Sequence, residues 1–273
     1  MSGGSYMNRK NKPLMVYAVL CLAFLYVPVM FLPLFSFNDS QYIAFPIKGF
    51  TLQWYEEMWN SGPMHEALWN SIKVAAVSAS LSTLLGIFAA NAFTRFRMPG
   101  SKPVIGIIML PLVVPEIILG TSLLILVNNI GLGLSLISVT MGHMLLSVPF
   151  AVAVLISRFE GFDKSIEEAS ADLGENAWGT FRRVTLPLVF PGVLSRFLLC
   201  FVISFDEFII AFFLAGAEPT LPVFMYSQMR FPQRLPGVLA MGAAILMVSF
   251  IVITFAEWVR RRGSYGGAAD TGL

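Results

Sequence analysis

The sequence contains six apolar stretches, each long enough to cross a bilayer as a helix, which takes about 20 residues. Inside the hydrocarbon the backbone polar groups must be paired within the protein, so only helices and closed β-barrels span it. The stretches are continuous and lack the alternation of barrel strands. We therefore predict an all-α polytopic membrane protein with six transmembrane helices, at approximately Leu14–Phe37, Ser71–Phe93, Val104–Val127, Leu134–Ser157, Val184–Ala215 and Val238–Trp258.

The composition agrees with a membrane location, because 12% of the residues are charged, against about 25% in soluble proteins. The first apolar stretch is longer than a signal-peptide core and no small-x-small cleavage site follows it, so we interpret it as an uncleaved helix. Cys21 and Cys200 both lie in apolar stretches, which does not indicate a disulfide framework. The fifth stretch is over-long and is interrupted by prolines and by Asp206 and Glu207, which leaves its start open.

Lysine and arginine are distributed unevenly among the segments that connect the apolar stretches. With the N-terminus in the cytoplasm, thirteen of these residues are cytoplasmic and three are external, and such an excess is typical of cytoplasmic segments. We therefore predict cytoplasmic tails at 1–13 and 260–273 around a transmembrane domain at 14–259. The same topology places an aromatic-rich loop, 38–70, outside the cell and a polar segment, 160–183, in the cytoplasm.

The polar segment 160–183 has the features of a short capped helix. Ser165 and Glu168 have the spacing of a capping box, in which each side chain pairs with a free amide at the helix start. Gly174 stands where a left-handed residue would end the helix. The helix would be amphipathic, with Ile166, Ala169 and Leu173 on one face and charge around it from Glu167, Glu168 and Asp172. Such a helix is either a docking element for another protein or an ordinary surface helix.

Three carboxylates interrupt the apolar stretches: Glu116, Asp206 and Glu207. A charged side chain at a helix centre costs about 2.5–3.5 kcal/mol on insertion scales, so these residues are candidates for a translocation path. Pro111 and Pro115 remove amide donors beside Glu116, and a broken backbone is typical of a helix that lines a polar cavity. Neighbouring helical residues point about 100° apart, so we expect Asp206 to face the path and Glu207 to face another helix. The alternative is that all three only join helices.

No enzymatic, metal or nucleotide site is indicated by the sequence. His65 and His143 lie in different compartments, and we interpret His143 as a hydrogen-bonding partner between helices. The chain has no P-loop motif, so ATP hydrolysis would have to occur on a partner. We expect no cofactor, no bound metal and no nucleic acid partner, and Coulomb attraction to a carboxylate-lined path would favour a cationic solute.

The polar segment also carries a longer motif. Glu-Ala-x-x-x-x-Gly, nine residues and then Val-x-Leu-Pro resembles the cytoplasmic coupling motif of permease subunits of bacterial ABC importers. The matching residues are Glu168, Ala169, Gly174, Val184, Leu186 and Pro187, with Ser170 in place of the usual second alanine. By this resemblance the residues that couple the chain to an ATPase are Ser165, Glu167, Glu168, Ala169, Asp172, Leu173, Gly174, Leu186 and Pro187.

Further stretches resemble spermidine/putrescine-type permeases, and the length and C-terminal half fit the second permease of a pair. They are Tyr26-Val27-Pro28, Pro115-Glu116-Ile117, and Ser204 to Ile210 followed by Thr220-Leu221-Pro222. The resemblance implies a type I ABC importer permease fold in the bacterial inner membrane. It also implies a second homologous permease, two cytoplasmic ATPase subunits and a periplasmic solute-binding protein as partners, in addition to membrane lipids.

The solute implied by the resemblance is a polyamine, spermidine or putrescine. Related permeases carry amino-acid derivatives, opines, phosphonates or iron, so these solutes remain alternatives. Two other classes of protein also stay open, namely a stand-alone secondary transporter or channel and a membrane-embedded enzyme. The capped cytoplasmic helix and the lack of inverted repeats count against the first, and the lack of a catalytic constellation counts against the second.

Overall fold

A computed structural model describes residues 12–41, 47, 49–96, 99–161 and 163–262. Within these residues the regular structure is helical, apart from one isolated β-bridge. Five of the helices are long and apolar enough to cross a membrane, or six if a sharply bent pair counts as one span. The predicted all-α fold is confirmed, and the five or six candidate spans agree with the predicted six. Most of the two predicted tails lies outside the described residues.

The described residues form two compact units, one within Met1–Ser61 and Gln228–Met247 and the other within Gly62–Ser227 and Val248–Leu273. The first unit holds α1 (Lys12–Ser36), α2 (Gln53–Trp59), a 3₁₀ turn (Pro232–Arg234) and the first half of α12 (Leu235–Arg262). The second unit contains α3 (Gly62–Arg95), α4 (Ser101–Met109), a 3₁₀ turn (Leu110–Leu112), α5 (Glu116–Asn129), α6 (Leu136–Glu160), α7 (Lys164–Asp172), α8 (Ala177–Thr180), a π turn (Phe181–Thr185), α9 (Leu186–Asp206), α10 (Ile209–Leu214), nearly all of α11 (Leu221–Gln228) and the second half of α12.

In the first unit, α2 is held against the end of α1. The Ser36 hydroxyl lies 2.7 Å from the Tyr55 hydroxyl, and the Trp54 indole N–H donates to the Asn38 carbonyl at 2.9 Å. These contacts order part of the predicted external loop 38–70. The last part of the predicted loop, from Gly62 onward, already belongs to the helix α3.

The core of the second unit is a bundle of α3, α6 and α9. Small residues line the contacts, and a Cβ added at Gly86 of α3 would lie 2.9 Å from the Cβ of Ala151 in α6. Ala79, Ala151 and Cys200, one from each helix, form a buried cluster. Membrane helices associate through such close packing because lipid provides no hydrophobic driving force between them.

The predicted third span, Val104–Val127, is not one helix. The segment Ser101–Leu112, which is α4 with its 3₁₀ turn, is bent by 96° from α5, and residues 113–115 lie between them. A proline cannot continue the hydrogen bonding of a preceding turn, and it disfavours helical backbone in the residue before it. The break lies where the prolines indicated it, but Glu116 consequently becomes the first residue of a new helix.

The predicted fifth span, Val184–Ala215, is also two helices. α9 ends at Asp206, Glu207 has extended backbone (φ −69°, ψ 125°), and α10 begins at Ile209. The Glu207 carboxylate accepts the backbone N–H groups of Ile210 at 3.0 Å and Ala211 at 3.2 Å. The side chain therefore starts the second helix by satisfying amides that have no partner within it.

Candidate functional site

The helix in the polar segment 160–183 begins two residues earlier than predicted. Asp163 is the N-cap of α7, and its carboxylate accepts the Ser165 backbone N–H at 2.9 Å. The predicted capping box is therefore wrong, because Ser165 already lies within the helix. The hydrogen bonds from Ser165 keep the pKa of Asp163 below its usual value.

The end of α7 follows the prediction. Gly174 has φ +91°, the left-handed conformation that a residue with a Cβ rarely adopts. The chain turns there, and the Glu175 N–H donates to the Ser170 carbonyl at 3.2 Å. Asn176 then caps α8 by accepting the Gly179 N–H at 2.8 Å. Two short helices are thus joined by a turn with defined hydrogen bonds.

One face of α7 is apolar and uncovered. Leu173 is 88% exposed and Ile166 44% exposed, and Ala169 is also exposed. The carboxylates of Glu168 and Asp172 are exposed on the same helix. In α8, Trp178 adds another exposed apolar side chain. We call this set (Ile166, Glu168, Ala169, Asp172, Leu173 and Trp178) the docking surface.

The opposite side of α7 faces the transmembrane bundle. Glu167 pairs with the Arg95 guanidinium at 2.6 Å and accepts the Thr185 hydroxyl at 2.6 Å. Both charged side chains are mostly buried. Glu167 was predicted as an ATPase contact, whereas the structure places it against α3 and the start of α9. Sequence reasoning counted Arg95 only for topology, although a basic residue at the end of a span is a candidate partner for a cytoplasmic acid.

Three further residues of the predicted coupling motif, Ser170, Leu186 and Pro187, differ in their surroundings. Ser170 lies 3.0 Å from the Thr180 hydroxyl, so the serine that replaces the usual alanine joins the two short helices. Leu186 packs on the buried cluster that contains Leu155 and Phe159 of α6. Leu186 is partly buried there, and its role in ATPase contact stays a prediction. Pro187 is exposed and stays a candidate.

The three membrane carboxylates have different surroundings. Glu116 is exposed in the first turn of α5. Asp206 is exposed at the last position of α9, and the Ser249 hydroxyl of α12 donates to it at 3.2 Å. The side chain of Glu207 is 7% exposed and lies against α6. Among the described residues, no hydrogen bond or ion pair joins Glu116 to the other two.

Glu207 ends a chain of buried polar groups that crosses the bundle. The Ser78 hydroxyl of α3 donates to Ser204 of α9 at 2.8 Å, which leaves the Ser204 proton for Nδ1 of His143, 2.7 Å away. Nε2 of His143 lies 3.0 Å from the Glu207 carboxylate. His143 thus joins α6 to the break between α9 and α10. The geometry gives Glu207 a helix-capping role, while Glu116 and Asp206 remain accessible.

The accessible carboxylates of Glu116 and Asp206 can attract a cation, and the exposed residues of the docking surface can contact a partner. Within the described ranges, no group of three or more His, Cys, Asp or Glu residues could hold a metal ion.

Comparison with known proteins gives a consistent result. Residues 82–265 match the family model for the binding-protein-dependent transport system inner membrane component. The chain is 30% identical over 244 residues to the spermidine/putrescine transport system permease protein PotC of Haemophilus influenzae, covering 89% of this chain and 94% of that one. It is 32% identical over 251 residues to the putrescine transport system permease protein PotI of Escherichia coli, with 89% and 88% covered.

The fold is shared with a solved transporter of low sequence similarity. A chain of a bacterial ABC transporter involved in the import of the acidic polysaccharide alginate superposes with a TM-score of 0.70 at 17% identity, covering 91% of this chain and 93% of that one. At this identity the likeness concerns the fold alone.

Proposed function

The chain belongs to the family of inner membrane components of binding-protein-dependent transport systems, and from this premise we propose that it imports a polyamine together with partner subunits. It is a permease subunit of an ABC importer. Beyond membership of this family, we propose the solute, the docking site for the ATPase and the orientation in the membrane.

The docking surface is the observation that carries the ATPase assignment. Its apolar residues are exposed on a helix whose other side is anchored to the bundle, so packing against the residues that the structure describes does not explain them. Apolar side chains with acidic neighbours fit a groove that is apolar inside and basic at its rim. We assign Leu173 and Ala169 to insertion into the ATPase, and Glu168 to an ion pair with a lysine or arginine there. Gly174 holds the turn that presents Leu173.

The orientation follows from the basic residues, because thirteen lysines and arginines lie in the segments assigned to the cytoplasm. Both tails, at 1–13 and 260–273, would then be cytoplasmic, and the segment 160–183 would face the ATPase. The external loop would contact a periplasmic binding protein. A second homologous permease would complete the path, and two ATPase subunits would drive it.

The charge of the accessible carboxylates supports a cationic solute. Glu116 and Asp206 expose carboxylates within apolar segments, where a cation is attracted more strongly than in water. Spermidine and putrescine carry several ammonium groups separated by short methylene chains. The relatives PotC and PotI are named for the transport of these solutes. Together these observations favour a polyamine over a neutral or anionic solute.

The test is solute-stimulated ATP hydrolysis by the complete complex in proteoliposomes with its binding protein. Putrescine and spermidine are compared with amino acids, opines, phosphonates and ferric iron. We expect stimulation by a polyamine, and Asp206→Asn should reduce uptake of the polyamine. Stimulation by a neutral or anionic solute alone would retain the importer and refute the polyamine assignment.

A further inference from the structure

Helix α7 is anchored to the rest of the protein by few side chains. Among its residues, Lys164 to Asp172, two are partly buried, Glu167 and Ser170, and the others are exposed. Ser170 contacts Thr180 of the adjoining short helix, within the polar segment itself. Glu167 is thus the residue of α7 that contacts both α3 and the residue preceding α9.

Both oxygens of the Glu167 carboxylate are used. One oxygen lies 2.6 Å from Nε of Arg95, the last residue of α3. The other accepts the hydroxyl of Thr185, which directly precedes α9, at 2.6 Å. The exposed fractions of the Arg95 and Glu167 side chains are 11% and 16%, so water screens the pair less than it screens a surface pair. One carboxylate therefore joins the ends of two transmembrane helices to α7.

The same two helices are joined again deeper in the bundle. The Ser78 hydroxyl of α3 donates to Ser204 of α9, two residues before Asp206. This hydrogen bond lies about 25 Å along α3 from Arg95, at 1.5 Å per residue. Both α3 and α9 are also closely packed on α6. A displacement of the end of α3 together with the adjacent start of α9 therefore moves the two helices as a pair. The displacement then reaches the carboxylate at the end of α9.

We propose that Glu167 is a positioning residue that transmits movement of the docking surface to α3 and α9 together. The inference rests on the proposed function, since it requires an ATPase at the docking surface. Glu167 contacts neither the solute nor the ATPase. Without its carboxylate, α7 would still bind the ATPase, but it would move without displacing the two helices.

The experiment measures the number of spermidine molecules imported per ATP hydrolysed by the complete complex in proteoliposomes. Glu167→Gln removes the charge, and Thr185→Val removes one hydrogen bond at nearly constant shape. The matched control is Glu175→Gln, since Glu175 forms an ion pair with Arg183 in the same polar segment but more exposed to water. The amount of ATPase that co-purifies is measured for each variant.

We expect both Glu167→Gln and Thr185→Val to retain the ATPase and hydrolyse ATP. The import ratio, which is the number of spermidine molecules imported per ATP hydrolysed, should fall roughly fivefold or more in Glu167→Gln. The control should keep the wild-type ratio. The double variant Arg95→Glu with Glu167→Arg should recover part of the ratio that each single reversal loses.

An unchanged ratio in Glu167→Gln would overturn the inference. It would also be overturned if Glu167→Gln lost ATPase binding and import in the same proportion, since Glu167 would then only shape the docking surface. Failure of the wild-type chain to bind an ATPase is a different result, and it would refute the proposed function itself.

Discussion

Replacing Leu173 with alanine tests the docking surface most directly. The side chain is 88% exposed at the end of α7, so its removal should leave the stability of the isolated chain unchanged. If the ATPase covers it, the substitution removes about three buried carbon groups at roughly 0.8 kcal/mol each, or about 2 kcal/mol of binding free energy. This loss corresponds to a roughly thirtyfold higher Kd. The Kd is measured by titrating purified ATPase onto the chain in lipid nanodiscs.

The matched control is Ile137→Ala, another exposed aliphatic residue, at the opposite end of α6 from the docking surface. It should leave the Kd at the wild-type value. A Leu173→Ala chain that binds the ATPase as tightly as the wild type would refute the argument that exposed apolar residues of α7 form the contact. An equal loss in both variants would refute the localisation of the contact.

Three further substitutions test separate parts of the structure. Glu168→Lys should leave the chain in the membrane but reverse a charge at the docking surface, and normal solute uptake by this variant would contradict the assigned ion pair. Gly142→Ala should destabilise the chain by about 1–3 kcal/mol because the new Cβ would lie 2.5 Å from the Ile210 side chain. The control Gly106→Ala should leave the stability unchanged, since a Cβ added there has no atom within 4 Å. The two variants are compared by thermal unfolding in detergent. His143→Ala should lower stability by about 2–4 kcal/mol, since it removes the partner that Glu207 and Ser204 share and leaves them only the Ile210 and Ala211 amides and the Ser78 hydroxyl. An unchanged unfolding midpoint would argue against the buried polar chain.

The elements predicted best are those whose signal is local. Continuous hydrophobicity located the transmembrane helices, and α6 begins and ends within three residues of its predicted bounds. Gly174 was assigned a left-handed conformation, and its φ confirms it. These features depend on residues a few positions apart, which a sequence displays directly.

The elements predicted less well depend on distant contacts. The end of α9 was missed because Glu207 pairs with backbone amides only after the chain has turned. The partner of Glu167 was missed because Arg95 is far away in the sequence, and nothing in the local pattern distinguishes an acid that faces a partner from one that faces the bundle. Composition and spacing therefore identified the docking segment, but they did not show which of its carboxylates pairs with another residue of the same chain.

The two broken spans give their accessible carboxylates opposite electrostatic settings. Glu116 is in the first turn of α5, where the partial positive charge of the helix N-terminus offsets its own charge. Asp206 is the last residue of α9, where the helix C-terminus contributes about half an elementary negative charge of its own. Of the two, Asp206 should therefore hold an ammonium group more strongly. An asparagine at this position would remove only part of the local negative potential, so the preference for a cation should weaken without being abolished.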